Sequence, residues 1–168
     1  MKTLYLLRHA KSSWDDSSLS DFERPLNERG LNAAPFIGEV ITRRGYSPSI
    51  IISSPAKRAA TTAELVEKSA GLNSALRFDH RIYEASPNTL CTVAAEIDDG
   101  MDSAMLVGHN PGMEGFIRYL TVRIEPMPTA ALAVIELSID SWKDIDAECG
   151  TIVEIVRPKD EMTPQATE

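Results

Sequence analysis

Arginine and histidine side chains recur where short apolar runs end. In LYLLRHAKSS, residues 4 to 13, Arg8 and His9 directly follow an apolar run. SSPAKRAATTAE, residues 53 to 64, brings Arg58 after a β-branched run, and VGHNPG, residues 107 to 112, brings His109. Burying an unpaired charge costs several kcal/mol. The same side chains exposed at the end of a strand avoid this cost and remain available for binding or catalysis. These positions are therefore candidates for a site that handles an anion.

The elements that must position these residues alternate between strand and helix. Asn27 is a predicted N-cap, Ser54 is predicted to cap a helix with Pro55 at its first position, and Asn110 with Pro111 repeats that start. Glycines close the first two helices. Strands are predicted at residues 2–7, 49–53, 76–78, 104–107, 130–137 and 151–156, and helices at 27–45, 54–71, 87–97 and 110–123.

Buried runs that alternate with helices predict an α/β fold, a three-layer α/β/α sandwich. Its central sheet is expected to be mainly parallel, with helices on both faces. No helix separates the last two strands, so we expect them to pair as a hairpin or to include an antiparallel member. We assign residues 1–158 to one domain and residues 159–168 to a polar C-terminal tail that is frayed and carries no site.

The carboxyl ends of parallel strands meet at one edge of such a sheet, where ligands bind. All three motifs should therefore converge there. Two helix N-termini would add unpaired N–H groups and positive dipole ends. Arg8 and Arg58 would add permanently charged planar donors that match phosphate oxygens. The sequence predicts a phosphate-binding edge.

Composition excludes several other classes of function. The 168 residues carry a net charge of −8 and a pI near 4.9, which argues against nucleic-acid and anionic-membrane partners. Cys91 and Cys149 form neither a metal spacing nor a disulfide framework, which fits a reducing compartment. The first apolar run is too short for a signal peptide, and no run could span a membrane. We expect a cytoplasmic protein, and the sequence leaves its oligomeric state open.

The order of the motifs resembles the histidine phosphatase superfamily, which has the phosphoglycerate-mutase-like fold. Its opening Arg-His-Gly stands here as RHA at residues 8–10. Its Ser-Ser-Pro, Arg-Ala and Gln-Thr-Ala stand here as SSP at 53–55, RA at 58–59 and TTA at 61–63, and its second histidine lies in VGHNPG. The segment DFERPLNERG, residues 21 to 30, is similar to the compact SixA-type branch of phosphohistidine phosphatases. The likeness covers residues 2 to 157.

That resemblance implies that His9 is a nucleophile forming a phosphohistidine intermediate, while Arg8, Arg58 and His109 hold the phosphoryl group. Glu84, in RIYEASP, stands where larger members carry an acid/base glutamate. Ala10 departs from the family's glycine, so its methyl group must either crowd the phosphate loop or adopt a negative φ. The chain also lacks room for the long insertions of mutases, which argues against mutase activity.

The chemistry is consistent with this assignment. A nucleophilic histidine must be neutral, and neighbouring arginines disfavour imidazolium while stabilising charge on a transferring phosphoryl group. They supply the positive charge that Mg²⁺ gives in kinases, so no metal or cofactor is expected. An alkoxide leaving group needs an acid such as Glu84, whereas imidazole leaves with little help.

Some candidates have an equally good structural interpretation. Arg24 either touches phosphate or forms a salt bridge with Asp21 or Glu23. Ser12 and Asp15 either line the pocket or are solvated loop residues. Glu84 is either a proton donor or an exposed carboxylate.

Three functions follow from these alternatives. The first is a phosphatase acting on phosphohistidine proteins, which the lack of an insertion for a specificity lid favours. The second is a phosphomonoesterase acting on a small metabolite. The third is a catalytically silent module that binds phosphate or phosphoproteins, against which the intact arginine and histidine set argues.

Overall fold

The computed structural model describes residues 1–161, which form an α/β fold around a six-stranded sheet. The strands are β1 (Lys2–Arg8), β2 (Ile50–Ser53), β3 (Ala75–Phe78), β4 (Ser103–Gly108), β5 (Leu132–Leu137) and β6 (Gly150–Val156). The helices are α1 (Glu28–Arg44), α2 (Lys57–Ala70), α3 (Pro87–Ala95) and α4 (Gly112–Thr121). Three single 3₁₀ turns lie at Asp21–Glu23, His80–Ile82 and Trp142–Asp144.

The sheet is mostly parallel, as predicted. The strand order is β3-β2-β4-β1-β5-β6, and the first four strands in this order pair in parallel. β5 is antiparallel to β1, and β6 is antiparallel to β5. The expectation that the last two strands would introduce an antiparallel pair is confirmed. The three motif-bearing strands β2, β4 and β1 are consecutive neighbours at the centre.

Helices cover both faces of the sheet. Along β1, Leu4 and Leu6 face the core beneath α3 and α4, whereas Tyr5 and Leu7 face the core beneath α1 and α2. Because a central strand is buried on both faces, its sequence is a continuous apolar run rather than an alternation. The predicted three-layer sandwich is confirmed.

Two predicted helix starts are wrong, and both lie at the site. α2 begins at Lys57 with Ala56 at its N-cap and no side-chain cap, so Ser54 is not the capping residue. α4 begins at Gly112 with Pro111 at its N-cap position. The predicted N-cap Asn27 is confirmed, because its side chain accepts a hydrogen bond from the Gly30 amide. With Pro55 and Pro111 predicted at the first helical positions, α2 starts two residues later and α4 one residue later than the capping pattern predicts.

The end of the described chain departs from the predicted tail. Residues 158–161 form a helical turn. Glu161 makes a 3.0 Å ion pair with Arg44 at the end of α1. The rest of the predicted tail, residues 162–168, lies outside the described residues. Within residues 1–161, no helix combines the length and the hydropathy needed to cross a bilayer.

Candidate active site

The three motifs meet at the carboxyl edge of the sheet because β2, β4 and β1 are adjacent and parallel. Backbone pairing continues just past the strands: the His9 amide donates to the Gly108 carbonyl and the Ser54 amide to the Val107 carbonyl. The rings of His9 and His109, a hundred residues apart, lie with their centroids 5.1 Å apart. The predicted convergence is therefore present in the tertiary structure.

The tautomer of His9 follows from its local hydrogen bond. Its Nδ1 lies 2.7 Å from the carbonyl oxygen of Ala10. A carbonyl can only accept, so Nδ1 carries the proton and Nε2 of the neutral ring keeps a free lone pair. The side chain is almost fully buried. His9 thus presents an unprotonated nitrogen within a sheltered site.

Burial keeps both site histidines neutral. Desolvation lowers the pKa of His9 to about 4, with further lowering by Arg58, Arg8 and Arg24 against the opposing Ala10 hydrogen bond. Desolvation also lowers the pKa of His109 to about 3, with His9 and Arg58 acting in the same direction. At neutral pH each ring is an uncharged imidazole.

The second histidine, His109, is held by the residue predicted to cap α2. Its Nε2 lies 2.8 Å from Ser54 Oγ. The same hydroxyl oxygen accepts a bond from the Ala56 amide just ahead of α2. His109 Nδ1 is buried and has no hydrogen-bond partner among the described residues. Ser54 thereby links the start of α2 to the β4–α4 loop, a role that its sequence pattern does not reveal.

Arg8 reaches the site from the end of β1. One terminal nitrogen donates to the Met127 carbonyl over 3.0 Å, while its Nε is buried without a partner among residues 1–161. Burial lowers the pKa of this guanidinium, partly offset by the nearby Glu114 carboxylate. Arg8 is therefore a half-buried cation with only part of its hydrogen-bonding capacity used.

Arg58, at the start of α2, binds Asp21. One guanidinium nitrogen donates to the Asp21 carbonyl at 2.7 Å and the other to its carboxylate at 3.0 Å. Arg24 and the Tyr83 hydroxyl also donate to that carboxylate. The Tyr83 hydrogen bond, followed by the arginines, lowers the pKa of Asp21 to about 2. The same bond raises the pKa of Tyr83 to about 12.

Sequence reasoning named Asp21 only as a partner for Arg24. Its position three residues before Arg24 signals that one contact, but the contacts with Arg58 and Tyr83 bridge 37 and 62 residues. The carboxylate is half exposed. The Asp21 carboxylate therefore pairs with Arg58, the cation for which the sequence predicts a phosphate contact.

The salt-bridge alternative for Arg24 is the one found. Its guanidinium pairs with Asp21 at 3.0 Å and also donates to the Ser13 carbonyl and to Ser12 Oγ. The side chain is buried, and the exposed ring of Trp14 lies over it. A phosphate contact from Arg24 stays a prediction.

The remaining candidates lie at different places. Ser12 is buried, so the solvated-loop alternative is wrong for this residue, and Arg24 donates to its hydroxyl. Asp15 is exposed, its amide bonded to Ser13 Oγ. Glu84 is exposed, with a φ of 55°, and it lines a cavity of about 590 Å³ beside His109. Asp21, Arg58, Tyr83, Ala85, Ser86, Asn110 and Pro111 complete that lining. Substrate-binding roles for Ser12 and Asp15 stay predictions.

Ala10 fits the loop that follows β1 without backbone strain. Its φ is not positive, and its methyl group is fully buried in the core. Its amide donates to Thr62 Oγ1 over 3.0 Å. The negative-φ alternative for this position is the one found.

No group of three or more His, Cys, Asp or Glu side chains within residues 1–161 is arranged to hold a metal ion. Among the described residues, the Arg8 and Arg58 guanidinium groups place positive charge at this edge. The arrangement can bind an oxyanion next to a neutral imidazole nitrogen.

Comparisons with known proteins agree with this geometry. The family model for the histidine phosphatase superfamily, branch 1, matches residues 4–101. A candidate phosphohistidine phosphatase, SixA, from Agrobacterium tumefaciens is 30% identical in sequence and superimposes with a TM-score of 0.77. That match covers 94% of this chain and 98% of the other.

Two more distant proteins are also similar. An uncharacterized protein of Mycobacterium tuberculosis is 27% identical over 158 residues, which cover 88% of this chain and 96% of that protein. A mycobacterial glucosyl-3-phosphoglycerate phosphatase, solved with VO₃, has a TM-score of 0.65 at 18% identity. It covers 92% of this chain and 98% of its own, and at this identity it supports the fold alone.

Proposed function

Because the chain belongs to the histidine phosphatase superfamily, we propose that it is a metal-independent phosphatase that acts on phosphohistidine proteins through His9. The observation that carries the proposal is the 2.7 Å contact of His9 Nδ1 with the Ala10 carbonyl, which leaves Nε2 free to attack. A module that only bound phosphate would need no buried, neutral nucleophile.

The reaction has two displacements at phosphorus. His9 Nε2 attacks as the phosphorus–nitrogen bond of the substrate breaks, and a substrate ring protonated on its other nitrogen leaves as neutral imidazole. Water then attacks the phosphoryl group, the bond to His9 breaks, and the water proton passes to phosphate or solvent. Arg8, Arg58 and His109 hold the phosphoryl oxygens throughout, which stabilises the charge of both transition states.

Imidazole as the leaving group suits the site. A ring with an ordinary pKa near 6.5 takes up its proton from solvent near neutral pH and leaves as neutral imidazole, whereas an alkoxide needs a positioned acid. The similarity to the candidate SixA phosphohistidine phosphatase, at 30% identity over 94% of the chain, supports the same substrate class.

The test is capture of the covalent intermediate. Brief incubation with a ³²P-labelled phosphohistidine protein, followed by a rapid quench, is expected to leave alkali-stable, acid-labile phosphate on His9. His9→Ala is expected to lose label and turnover, while His80→Ala, which changes an exposed histidine, keeps both. Label that persists on another residue of His9→Ala would refute the nucleophile, and phosphate binding without turnover would identify a silent binding module.

A small phosphomonoester is the second candidate substrate, because Glu84 lines the cavity beside His109. If the natural leaving group is an alkoxide, Glu84→Gln removes its proton donor and should cost about 10²–10⁴-fold. If the leaving group is imidazole, the variant should be almost unaffected.

The leaving-group experiment measures both proteins on a phosphohistidine protein, an aryl phosphate and an alkyl phosphate. We expect low wild-type activity on the alkyl phosphate and an unaffected phosphohistidine reaction in Glu84→Gln. The ratio between substrates isolates protonation of the leaving group from ordinary binding losses. Strong alkyl phosphatase activity that collapses in the variant would instead favour a metabolite phosphatase.

The proposal extends to the setting of the enzyme. We take residues 1–158 as its single domain, a cytoplasmic location, and a phosphate-bearing protein as its partner, without nucleic acid or membrane. A chelator is expected to leave the rate unchanged. Loss of activity with chelator, restored by a divalent ion, would show that a metal takes part.

A further inference from the structure

A closed set of hydrogen bonds connects Arg8 to Glu114 on α4. Glu114 Oε2 accepts from the Met127 amide at 2.8 Å and from Asn110 Nδ2 at 2.9 Å. The Met127 carbonyl then accepts from Arg8 and from Asn110 Nδ2, each at 3.0 Å. The Met127 amide is thus hydrogen-bonded to the Glu114 carboxylate, and the Met127 carbonyl is hydrogen-bonded to Arg8.

The Met127 carbonyl is the hydrogen-bond acceptor that orients Arg8. The Arg8 Nε is buried with no partner among the described residues, so this acceptor fixes the direction of the guanidinium plane. The same connection between α4 and β5 also binds the backbone of the site, because the Ala130 amide donates to the carbonyls of Arg8 and His9. Displacing this connection would therefore misplace a cation next to the nucleophile.

We propose that Glu114 is a positioning residue: it fixes the backbone of Met127 through the Met127 amide, and the Met127 carbonyl then holds the Arg8 guanidinium in the orientation that receives the phosphoryl group. Both hydrogen bonds from the carboxylate go to one oxygen. A glutamine can therefore accept both with its amide oxygen, whereas an alanine leaves the buried Met127 amide unpaired. The proposed role is this hydrogen-bond geometry, which is separate from the favourable charge that the Glu114 carboxylate also places near Arg8.

The experiment rests on the proposed phosphatase function for its rate measurements and has an independent readout, the affinity for inorganic phosphate measured by calorimetry. Glu114→Ala is expected to lower kcat and phosphate affinity by about 10- to 100-fold, since small misplacements of a catalytic group have effects of this size. Glu114→Gln is expected to stay within about threefold of wild type.

Three further proteins separate positioning from general damage: Glu125→Ala, Arg8→Ala and the Arg8→Ala/Glu114→Ala double variant. Glu125→Ala removes a carboxylate from the same connection, where it pairs with Arg123 and Arg157 rather than with Met127, and should leave both readouts unchanged. In an Arg8→Ala background, Glu114→Ala should add less than about a threefold further loss, because the group that it positions is gone.

The outcomes decide between clear alternatives. A glutamine variant as impaired as the alanine variant would assign the effect to charge, and a loss that persists without Arg8 would assign it to overall structure. Either result overturns the proposal. If no substrate is turned over, the phosphate affinities of the wild type and the same five variants still decide the role of Glu114, while the phosphatase proposal alone fails.

Discussion

In the proposed reaction, the phosphoryl group has to share Arg58 with the carboxylate of Asp21. Arg58 is buried and makes two hydrogen bonds to Asp21 in the structure. Arg24 binds the same carboxylate, but its other guanidinium nitrogens donate to Ser12 and Ser13 in the loop that follows β1. The two arginines are thus alike in charge but unlike in position, Arg58 lining the cavity and Arg24 holding the loop.

This difference predicts unequal effects of substitution. Arg58→Ala should lower kcat/KM by about 10²–10³-fold, the loss typical of removing one preorganised charge-stabilising group. Arg24→Ala should cost less in rate and more in stability, because it leaves the Ser13 carbonyl and the buried Ser12 hydroxyl without their donor. Steady-state kinetics measures the loss of kcat/KM in both variants, and urea unfolding measures their stability. Equal losses of kcat/KM would indicate that Arg24 also contacts the phosphate directly.

The N-terminus of α1 fixes the loop that follows the nucleophile. The Asn27 amide donates to the Lys11 carbonyl, and Gly30, in the first turn, packs directly against that carbonyl. A Cβ at residue 30 would collide with backbone rather than with a flexible side chain. The glycine of DFERPLNERG is thus required by close approach.

Gly30→Ala is therefore expected to shift the backbone beyond His9. We expect a loss of about 1–3 kcal/mol in the free energy of unfolding, as for other overpacked sites, together with a clear fall in kcat. Asn32→Ala, on an exposed position of the same helix, should change neither quantity. Chemical denaturation and turnover of the two variants test this, and a fully active, stable Gly30→Ala would show that the contact relaxes freely.

At the scale of the whole molecule, the fold buries two neutral histidines at one sheet edge. The unfolded chain takes up protons on these rings below pH about 6.5, whereas folded His9 stays neutral down to about pH 4. Between these values the unfolded state binds more protons, so stability falls as the pH is lowered. The stability that depends on a neutral His9 is intact above pH 6.5, decreases below that pH and is lost by about pH 4.

For His9 the shift corresponds to about 3 kcal/mol at most. We expect urea unfolding of the wild type to show a falling free energy of unfolding between pH 7 and pH 5, where most carboxylates remain ionised. A His9→Gln/His109→Gln double variant should have a markedly flatter profile over this interval. Parallel profiles for the two proteins would mean that the histidines titrate normally in the folded state.

Local patterns in the sequence determine most of the fold and the identity of the central site residues. Continuous apolar runs predict strands buried on both faces, and glycine end signals and the Asn27 cap predict helix boundaries, because these features depend on neighbours a few residues apart. Arg8, His9, Arg58 and His109 could be assigned to one sheet edge for the same reason, since each lies within five residues of the end of a predicted strand.

Only the tertiary structure decides which groups touch. Arg58 with Asp21, Tyr83 with Asp21, Ser54 with His109 and Glu114 with Met127 are contacts between different elements. Ser54, the predicted cap of α2, contacts both His109 and the Ala56 amide ahead of a helix that begins at Lys57. Such contacts depend on strand order and on how the loops close over the sheet edge, which long-range burial sets and no local pattern encodes.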